Sequence, residues 1–447
     1  MIVQNWWFTT LLRSSYKTCP ALQKDLKCDV LIIGGGMSGV SAACEFIDKG
    51  LKVILIEKNI LGGSSSGKSA GFLTPDSELE LSQLVRRFGV KGANEIWSAP
   101  VKGIDLIVNN VRKHNITCDF RVQDSLFLGK GNSGLKDVQD EMNCRENVGF
   151  TNQELYTKDG LDRILKSEGF LGAVRYNETY GINCLQYLQG MKSVLIENGI
   201  EIYENTEVHS INQNIAYTHA GSIKAEQIIV AIDKMDKSIS EIADEIYHAQ
   251  TFLSVSEPLS DAEVNQMFPS GKEYQMWDNT LVYSYWRLIE ENRILLGGGS
   301  ATTTFLRNPW YNDSVINGVH KRFKKHFNFL NSLRFIQYWP GLIDTSRDLL
   351  PVLVRDDNNK SIHFIQGVVG LPWASFCGHL VAKNILNEST EENIKYYEYF
   401  SDRRYFALPI WLKKCIGKPF LFSLNNGWAK YYQVDKNDRL RYKKNEF

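Results

Sequence analysis

The sequence predicts an α/β fold in which a Rossmann-like dinucleotide-binding domain is joined to a second, α+β substrate domain built on an antiparallel sheet. Residues 30–57 read as a buried strand, a glycine turn, a helix and a second strand. The run QIIVAI at residues 227–232 predicts a further strand that is buried on both faces. Residues 247–339 contain several strand-like segments, which favour an antiparallel sheet.

The glycine turn follows the apolar strand Val30–Ile33 with the spacing G-x-G-x-x-G. Gly34 permits the tight turn, Gly36 lets the backbone approach a pyrophosphate, and Gly39 lets the helix pack closely on the sheet. The phosphates would lie at the helix N-terminus, where free N–H groups favour negative charge. Glu57 ends the second strand, where a carboxylate can accept hydrogen bonds from a ribose diol. This combination predicts a dinucleotide site.

The composition points to a small-molecule partner. Lys plus Arg and Asp plus Glu are both 51, so no excess of positive charge indicates nucleic acid as the main partner. The eight cysteines show no C-x-x-C pair and no zinc-like spacing, which predicts reduced thiols and no metal site. No segment has the apolar length of a membrane span, and no secretory signal pattern opens the chain, so we expect a cytoplasmic protein.

Six motifs occur in the order found in one enzyme family. They are DVLIIGGGMSG, SSSGKSAGF, QIIVAI, YWRLIEENRILLGGG, WPGLIDTSRDLLPVL and QGVVGLPWASFCGHLVA. This ordered set resembles FAD-dependent oxidoreductases of the D-amino-acid oxidase and glycine oxidase family, nearest to the branch that includes gamma-glutamylputrescine oxidase. The resemblance spans about residues 15–387 and implies noncovalent FAD as the cofactor.

The resemblance also implies a division of the chain into three parts. The expected FAD-binding domain is discontinuous and comprises residues 15–76, 151–235 and 341–390. Residues 77–150 and 236–340 would form the substrate domain. Residues 391–447 form a C-terminal extension that is rich in aromatic and basic side chains, and that could cap the fold or contact a partner or a lipid surface.

The cofactor residues implied by the motifs lie in six places along the chain. In the family, the second small-residue loop borders the flavin ring, Val208 matches a position whose backbone contacts adenine, and the helix predicted over residues 375–387 would direct N–H groups at the flavin. Lys68 in that loop could lie beside the flavin or could be a solvated lysine. The residues expected to bind FAD are Gly34, Gly36, Met37, Ser38, Gly39, Glu57, Lys58, Ser65, Ser66, Gly67, Lys68, Ser69, Ala70, Gly71, Val208, Ala231, Gly370, Leu371, Pro372 and Trp373.

Four residues are candidates for the substrate pocket: Tyr283, Arg287, Arg347 and Trp373. Arg287 could clamp a carboxylate, or it could form a structural pair with a nearby acid. Trp373 could wall the pocket or pack in the core. We assign no catalytic side chain, and we interpret His248 as a packed or surface histidine.

The resemblance implies oxidation of the C–N bond of an amine or amino acid by hydride transfer to the flavin, with O2 as acceptor. One alternative is a dehydrogenase that passes electrons to a quinone or a carrier protein. A different class of alternative is a non-catalytic flavin-binding redox sensor.

Overall fold

The computed structural model describes residues 1–76, 79–150, 153–280, 283–299 and 313–404. Two large sheets and the helices packed on them make up this part of the chain. In chain order, the strands are β1 (Ile2–Val3), β2 (Leu26–Ile33), β3 (Val53–Ile56), β4 (Phe72–Leu73), β5 (Arg121–Val122), β6 (Asp124–Lys130), β7 (Gln153–Thr157), β8 (Phe170–Tyr176), β9 (Tyr180–Gly181), β10 (Glu201–Tyr203), β11 (Val208–Asn212), β12 (Ile215–Thr218), β13 (Gly221–Val230), β14 (Tyr247–Pro258), β15 (Tyr274–Asp278), β16 (Tyr285–Ile289), β17 (Arg293–Gly298), β18 (Phe335–Thr345), β19 (Val352–Arg355) and β20 (Ile362–Gln366). The α-helices are α1 (Trp6–Leu11), α2 (Met37–Glu45), α3 (Leu81–Lys113), α4 (Gly131–Val148), α5 (Lys158–Asp162), α6 (Cys184–Glu197), α7 (Asp261–Met267), α8 (Asp313–His326), α9 (Leu371–Ile385) and α10 (Glu391–Tyr399).

The first sheet carries the predicted dinucleotide motif. Strands β10, β3, β2, β13 and β20 lie side by side in this order, and every neighbouring pair is parallel. Val30–Ile33 pairs with Val53–Ile56 on one side and with Gln227–Val230 on the other. These apolar runs are buried, as strands covered on both faces require. All five carboxyl ends therefore meet at one edge of the sheet.

The second sheet has nine strands in the order β1, β18, β14, β17, β16, β15, β6, β8 and β7. Most neighbours are antiparallel, and the β1–β18 and β15–β6 pairs are parallel. The predicted α/β fold with a second sheet-based domain is confirmed. Strands β7 and β8 and residues 341–345 of β18 belong to this sheet, although the sequence assigned these residues to the FAD-binding domain. Hydrogen bonds to distant segments decide that membership, and no local pattern reveals them.

Helix α9 begins earlier than the sequence predicted. It starts at Leu371 rather than at residue 375, and Pro372 lies in its first turn. A proline is compatible with this position because the first N–H groups of a helix have no partner within the helix. The motif before the predicted helix is thus the beginning of the helix itself.

The start of the C-terminal extension packs on α9. The ring of Tyr396 in α10 meets Phe376 edge-on at a centroid distance of 4.8 Å, and Phe400 meets Trp373 at 5.8 Å. Residues 391–404 therefore cap this side of the fold. The aromatic and basic stretch 405–447 lies outside the described residues, so its predicted contacts stay a prediction.

The sequence predicted reduced cysteines. The seven described cysteines at positions 19, 28, 44, 118, 144, 184 and 377 are free thiols, and Cys415 lies outside the described part. Burial raises the pKa of Cys184 to about 12, so this thiol stays protonated.

Among the helices that the structure describes, none combines the length and the apolar character that crossing a membrane would need.

A buried cluster of ion pairs holds the segment between β18 and β19 in place. Arg404 donates to both carboxylate oxygens of Asp348 at 2.9 and 2.6 Å, and Arg87 donates to the same carboxylate at 2.9 Å. Arg404 also donates to the carbonyl of Pro351 at 2.8 Å. Burial alone would raise the pKa of the Asp348 carboxyl, but the charges of Arg404 and Arg87 hold the pKa well below its usual range.

We expect Asp348→Asn to lower the free energy of unfolding by about 3–5 kcal/mol, because it leaves the buried guanidinium of Arg404 and the partly buried one of Arg87 without a counter-charge. In the parent protein the same stabilisation should decline as pH falls below about 4, where a carboxylate with a lowered folded-state pKa begins to be protonated on unfolding. Urea unfolding curves at several pH values measure both effects.

The matched control is Asp357→Asn, because Asp357 and Arg403 form an ion pair that is more than two-thirds exposed. This variant should change the urea midpoint very little. Equal midpoints for the two variants would contradict the structural role of the buried cluster.

Candidate functional site

A cavity of about 450 Å³ lies along the carboxyl edge of the parallel sheet. The residues that follow β2, β3, β13 and β20 all contribute to its wall. Ligands of open α/β sheets bind at this edge, outside the carboxyl ends of the strands. Ten of the predicted cofactor residues line this cavity: Gly34, Gly36, Met37, Ser38, Glu57, Lys58, Ser65, Ser66, Val208 and Ala231.

The glycine turn brings α2 directly against the strand ends. Gly34 has a φ of +109°, and a Cβ on it would lie 2.3 Å from the carbonyl oxygen of Ala231. A Cβ on Gly39 would lie 1.9 Å from the carbonyl oxygen of Gly34. Both distances are far below contact, so neither position accepts a side chain without displacing backbone. The N-terminus of α2 therefore faces the cavity, where it favours a phosphate.

Glu57 is held rigidly at the cavity wall. Its Oε2 accepts a hydrogen bond from the N–H of Gly35 at 2.8 Å, and its Oε1 accepts one from Asn59 at 2.9 Å. Burial raises the pKa of this carboxyl, and the two backbone N–H groups oppose that shift. Each oxygen keeps acceptor capacity for a further donor, which matches the predicted hydrogen bonds to a ribose diol.

A second cavity of about 220 Å³ adjoins the first. Ser65, Ser66, Asp233 and Asp344 line both cavities, so the two spaces meet at these residues. The second cavity lies between the small-residue loop, the N-terminus of α9 and the antiparallel sheet. It includes seven further predicted residues: Lys68, Ser69, Ala70, Tyr283, Gly370, Leu371 and Pro372.

One wall of the second cavity is aromatic. Phe72 and Tyr285 meet edge-on with their centroids 5.9 Å apart, and the rings of Tyr283 and Tyr285 are 5.6 Å apart. The hydroxyl groups of Tyr285 and Thr251 lie 3.0 Å apart within hydrogen-bond distance. Trp277 completes this wall. Such rings offer flat apolar surface and favour a cation over their faces.

The loop from Ser64 to Gly71 is anchored from outside the cavities. Four consecutive carbonyl groups of this loop each accept a hydrogen bond from a different side-chain N–H. None of the donors lines either cavity, so the four carbonyl oxygens point away from the ligand space. The pairs are Asn5 Nδ2 to Gly67 (2.7 Å), Trp339 Nε1 to Lys68 (3.1 Å), Trp7 Nε1 to Ser69 (2.7 Å) and Arg287 Nε to Ala70 (2.9 Å).

The sequence did not single out the acidic group at the junction of the cavities. Asp233 accepts hydrogen bonds from Ser64 Oγ at 3.2 Å, from Lys234 Nζ at 2.8 Å and from Ser65 Oγ. Burial alone would raise the pKa of Asp233, but the charge of Lys234 and these hydrogen bonds hold it below its usual value. Its position just beyond a parallel strand was a usable signal, since Gly34 and Glu57 occupy similar positions.

Asp344 in β18 had no comparable local signal. It accepts a hydrogen bond from the backbone N–H of Lys234, and its Oδ1 lies 2.7 Å from Nδ1 of His248. His248 lines neither cavity. The histidine therefore orients a carboxylate at the cavity junction rather than facing the ligand space itself.

The position of Arg287 corrects the hypothesis of a carboxylate clamp. Its side chain is fully buried and lines neither cavity. Besides the bond to Ala70, its Nη2 donates to the carbonyl of Ile182 at 2.6 Å. Burial lowers the pKa of Arg287 to about 10, which still leaves the guanidinium charged at neutral pH. Its partners are backbone carbonyls and the side-chain amide oxygen of Gln123, and not the acidic side chains proposed from the sequence.

Two other substrate candidates also lie away from the cavities. Arg347 is buried and lines neither of them. Trp373 is buried in the contact of α9 with Phe400, which favours the packing alternative. Among the predicted cofactor residues, Gly39, Gly67 and Gly71 shape the backbone without lining the ligand space.

Comparison with known proteins agrees with this architecture. A family model described as FAD dependent oxidoreductase (DAO) matches residues 29–384. The chain belongs to this family. It is accordingly an FAD-dependent oxidoreductase, and two adjoining cavities fit an extended cofactor with a dinucleotide portion and a separate reactive ring.

Individual relatives of this DAO-family chain cover most of its length. "Probable oxidoreductase OrdL" of Haemophilus influenzae is 26% identical over 391 residues, which cover 85% of this chain and 87% of the relative. Gamma-glutamylputrescine oxidoreductase of Escherichia coli is 25% identical over 401 residues, with coverages of 89% and 91%. The crystal structure of glycine oxidase from Geobacillus kaustophilus has a TM-score of 0.73 at 17% identity, and covers 86% of this chain and 100% of its own.

We expect Asn5→Asp to weaken FAD binding about tenfold or more. The substitution keeps the oxygen that caps α1 but replaces the donor that faces the Gly67 carbonyl with an acceptor, at a cost of at least ~1.4 kcal/mol. Titration of the apoprotein with FAD, followed by flavin fluorescence, measures the affinity.

The matched control is Asn183→Asp. Asn183 is also a buried helix cap, but its amide donates to the hydroxyl of Thr10 and not to the loop. That hydroxyl donates to the carbonyl of Trp7 in the parent protein and can turn to donate to the new carboxylate instead. This variant should keep the parent affinity for FAD. A loss of equal size in both variants would show that the anchoring of the loop is not the cause.

Proposed function

We propose that this chain oxidises the C–N bond of an amine or amino acid to an imine, with O2 as the electron acceptor. The observation that carries the proposal is the chemistry of the second cavity. Its wall combines four aromatic side chains with the carboxylates of Asp76, Asp233 and Asp344. Among the described lining residues, Lys68 provides the single cation. This surface favours a positively charged amine.

The names of the relatives support the same reaction class. The relatives include a gamma-glutamylputrescine oxidoreductase and a glycine oxidase, and these two names refer to an amine and an amino acid. In this chain, the described cavity wall contains no guanidinium that could clamp a carboxylate, because Arg287 is committed to backbone carbonyls. We therefore favour a substrate that is recognised through its amine.

The two helix N-termini have separate roles in this proposal. The beginning of α2 would hold the pyrophosphate, and Glu57 would hold the adenosine ribose. Val208 would place its backbone beside the adenine. The first turn of α9, at Leu371, would direct unpaired N–H groups at the edge of the flavin that becomes negatively charged. When bound, FAD would accept a hydride from the C–H bond of the carbon that carries the amine, once the ammonium has lost a proton to solvent. The nitrogen lone pair then forms the C=N bond, and the two electrons pass from the cofactor to the acceptor.

Lys68 would lie beside the flavin ring. Burial and the charge of Lys234 lower its pKa, and among the described residues its ammonium forms no ion pair. A cation at this place stabilises negative charge that develops on the ring. The aromatic wall would orient the substrate carbon over the ring.

The decisive experiment adds a panel of amines and amino acids to the purified yellow protein under anaerobic conditions. We expect an amine to bleach the flavin absorbance at about 450 nm. Rapid recovery of the colour in air would support O2 as acceptor, whereas recovery only with a quinone would favour the dehydrogenase alternative. A protein that binds FAD but that no compound bleaches would contradict the proposed substrate class.

We expect Tyr283→Ala to raise KM for the amine about tenfold while FAD binding stays unchanged. The substitution removes an aromatic contact worth at least ~1.4 kcal/mol from the second cavity, and Tyr283 does not line the first cavity. Steady-state kinetics with the best substrate of the panel measures the change. Tyr217→Ala, at an exposed position of β12, is the control and should leave both constants at the parent values. An unchanged KM for Tyr283→Ala would place the substrate elsewhere.

A further inference from the structure

We propose that Glu207, His209 and His219 form a binding site for a divalent cation of the zinc class. The site lies at the rim of the first cavity, which is the proposed site of the FAD dinucleotide and is called the FAD cavity below. One ligand atom from each residue lies within 4.8 Å of the other two. Glu207 and His209 also line the FAD cavity. Two imidazole nitrogens and one carboxylate oxygen are a common ligand set for Zn²⁺, with a further position open to water.

The backbone of the β11–β12 hairpin brings these side chains together. Val208 pairs with Thr218, and the next pair joins Ser210 to Tyr217, so the register shifts at His209. His219 directly follows Thr218, the last residue of β12. The two imidazole rings are 3.7 Å apart between centroids, with their planes inclined by 57°. A bulge of this kind redirects a side chain, and here it directs one histidine towards the other.

The polar atoms of the cluster are not engaged elsewhere in the described part of the chain. Nε2 of His209 is buried and has no hydrogen-bond partner there. The carboxylate of Glu207 and the imidazole of His219 form no hydrogen bond or ion pair with any described residue and are exposed. A buried nitrogen without a partner costs about 1–3 kcal/mol, and coordination of a cation would remove that cost.

The ligand types select the ion. Ca²⁺ and Mg²⁺ prefer sites made of oxygen atoms, whereas neutral imidazole is a good ligand for Zn²⁺. Ligand atoms of a tetrahedral zinc ion lie roughly 3.4 Å apart, so a small rotation of the exposed His219 ring completes the set.

Cation binding would act on the cofactor site through one residue. Val208 lies between two of the ligands and lines the FAD cavity. An ion that joins the beginning of β11 to the end of β12 restricts the motion of this wall. We therefore expect zinc to slow the release of FAD, and FAD to strengthen zinc binding by the same factor that zinc strengthens FAD binding.

The test uses the full-length, FAD-loaded protein and Zn²⁺ in competition with a chromophoric chelator. We expect one zinc ion per chain, and at least tenfold weaker binding in His209→Ala and in His219→Ala. His114→Ala replaces a histidine outside the cluster and should keep the parent zinc affinity. The rate of FAD release, followed by flavin fluorescence after dilution, should fall with zinc in the parent protein but not in His219→Ala.

Three results would overturn the assignment. They are a parent protein that binds no zinc, zinc binding that both histidine variants retain, and Ca²⁺ or Mg²⁺ that displaces zinc at equal concentration. Because His219 is exposed, its replacement leaves the core intact, and an unchanged FAD content of His219→Ala separates loss of the site from loss of the fold.

Discussion

The cofactor site depends on the close packing of backbone at the carboxyl edge of the parallel sheet. Gly39 in α2 touches the Gly34 carbonyl, and Gly34 touches the Ala231 carbonyl, at distances that leave no space for a Cβ. This packing places the N-terminus of α2 directly beyond the strand ends. Any side chain at either glycine would move the helix away from the sheet and its N–H groups away from the pyrophosphate position.

A second constraint comes from the hydrogen bonds that hold the loop from Ser64 to Gly71, two of which are donated by the N-terminal segment. The donors that hold the loop from Ser64 to Gly71 come from α1 and its cap, from β16 and from β18. Asn5 and Trp7 precede the region that the family model matches, which begins at residue 29. The N-terminal segment thus supports a loop that lines both cavities, although the segment itself contributes no wall to either cavity.

The substrate side of the molecule shows how burial changes the meaning of a residue. The sequence allowed Arg287 to clamp a carboxylate, yet this side chain is fully buried, and its N–H groups donate to backbone carbonyls and to the side-chain amide of Gln123. The carboxylates that do reach the ligand space come from three separate segments. The cavity therefore has more acidic than basic groups among its described residues, opposite to what the arginine hypothesis implied.

The sequence by itself determined the parallel sheet, the glycine turn, the acid at the end of β3 and the family, because these are short-range patterns. A buried strand followed by G-x-G-x-x-G and a helix leaves the chain few other conformations, and the ordered motifs identify the cofactor. Only the tertiary structure decided the start of α9, the sheet membership of β7 and β8, the place of Arg287 and the meeting of Asp233 with Asp344. Each of these depends on hydrogen bonds or packing between segments far apart in the chain, and such contacts leave no periodic pattern in the residues that make them.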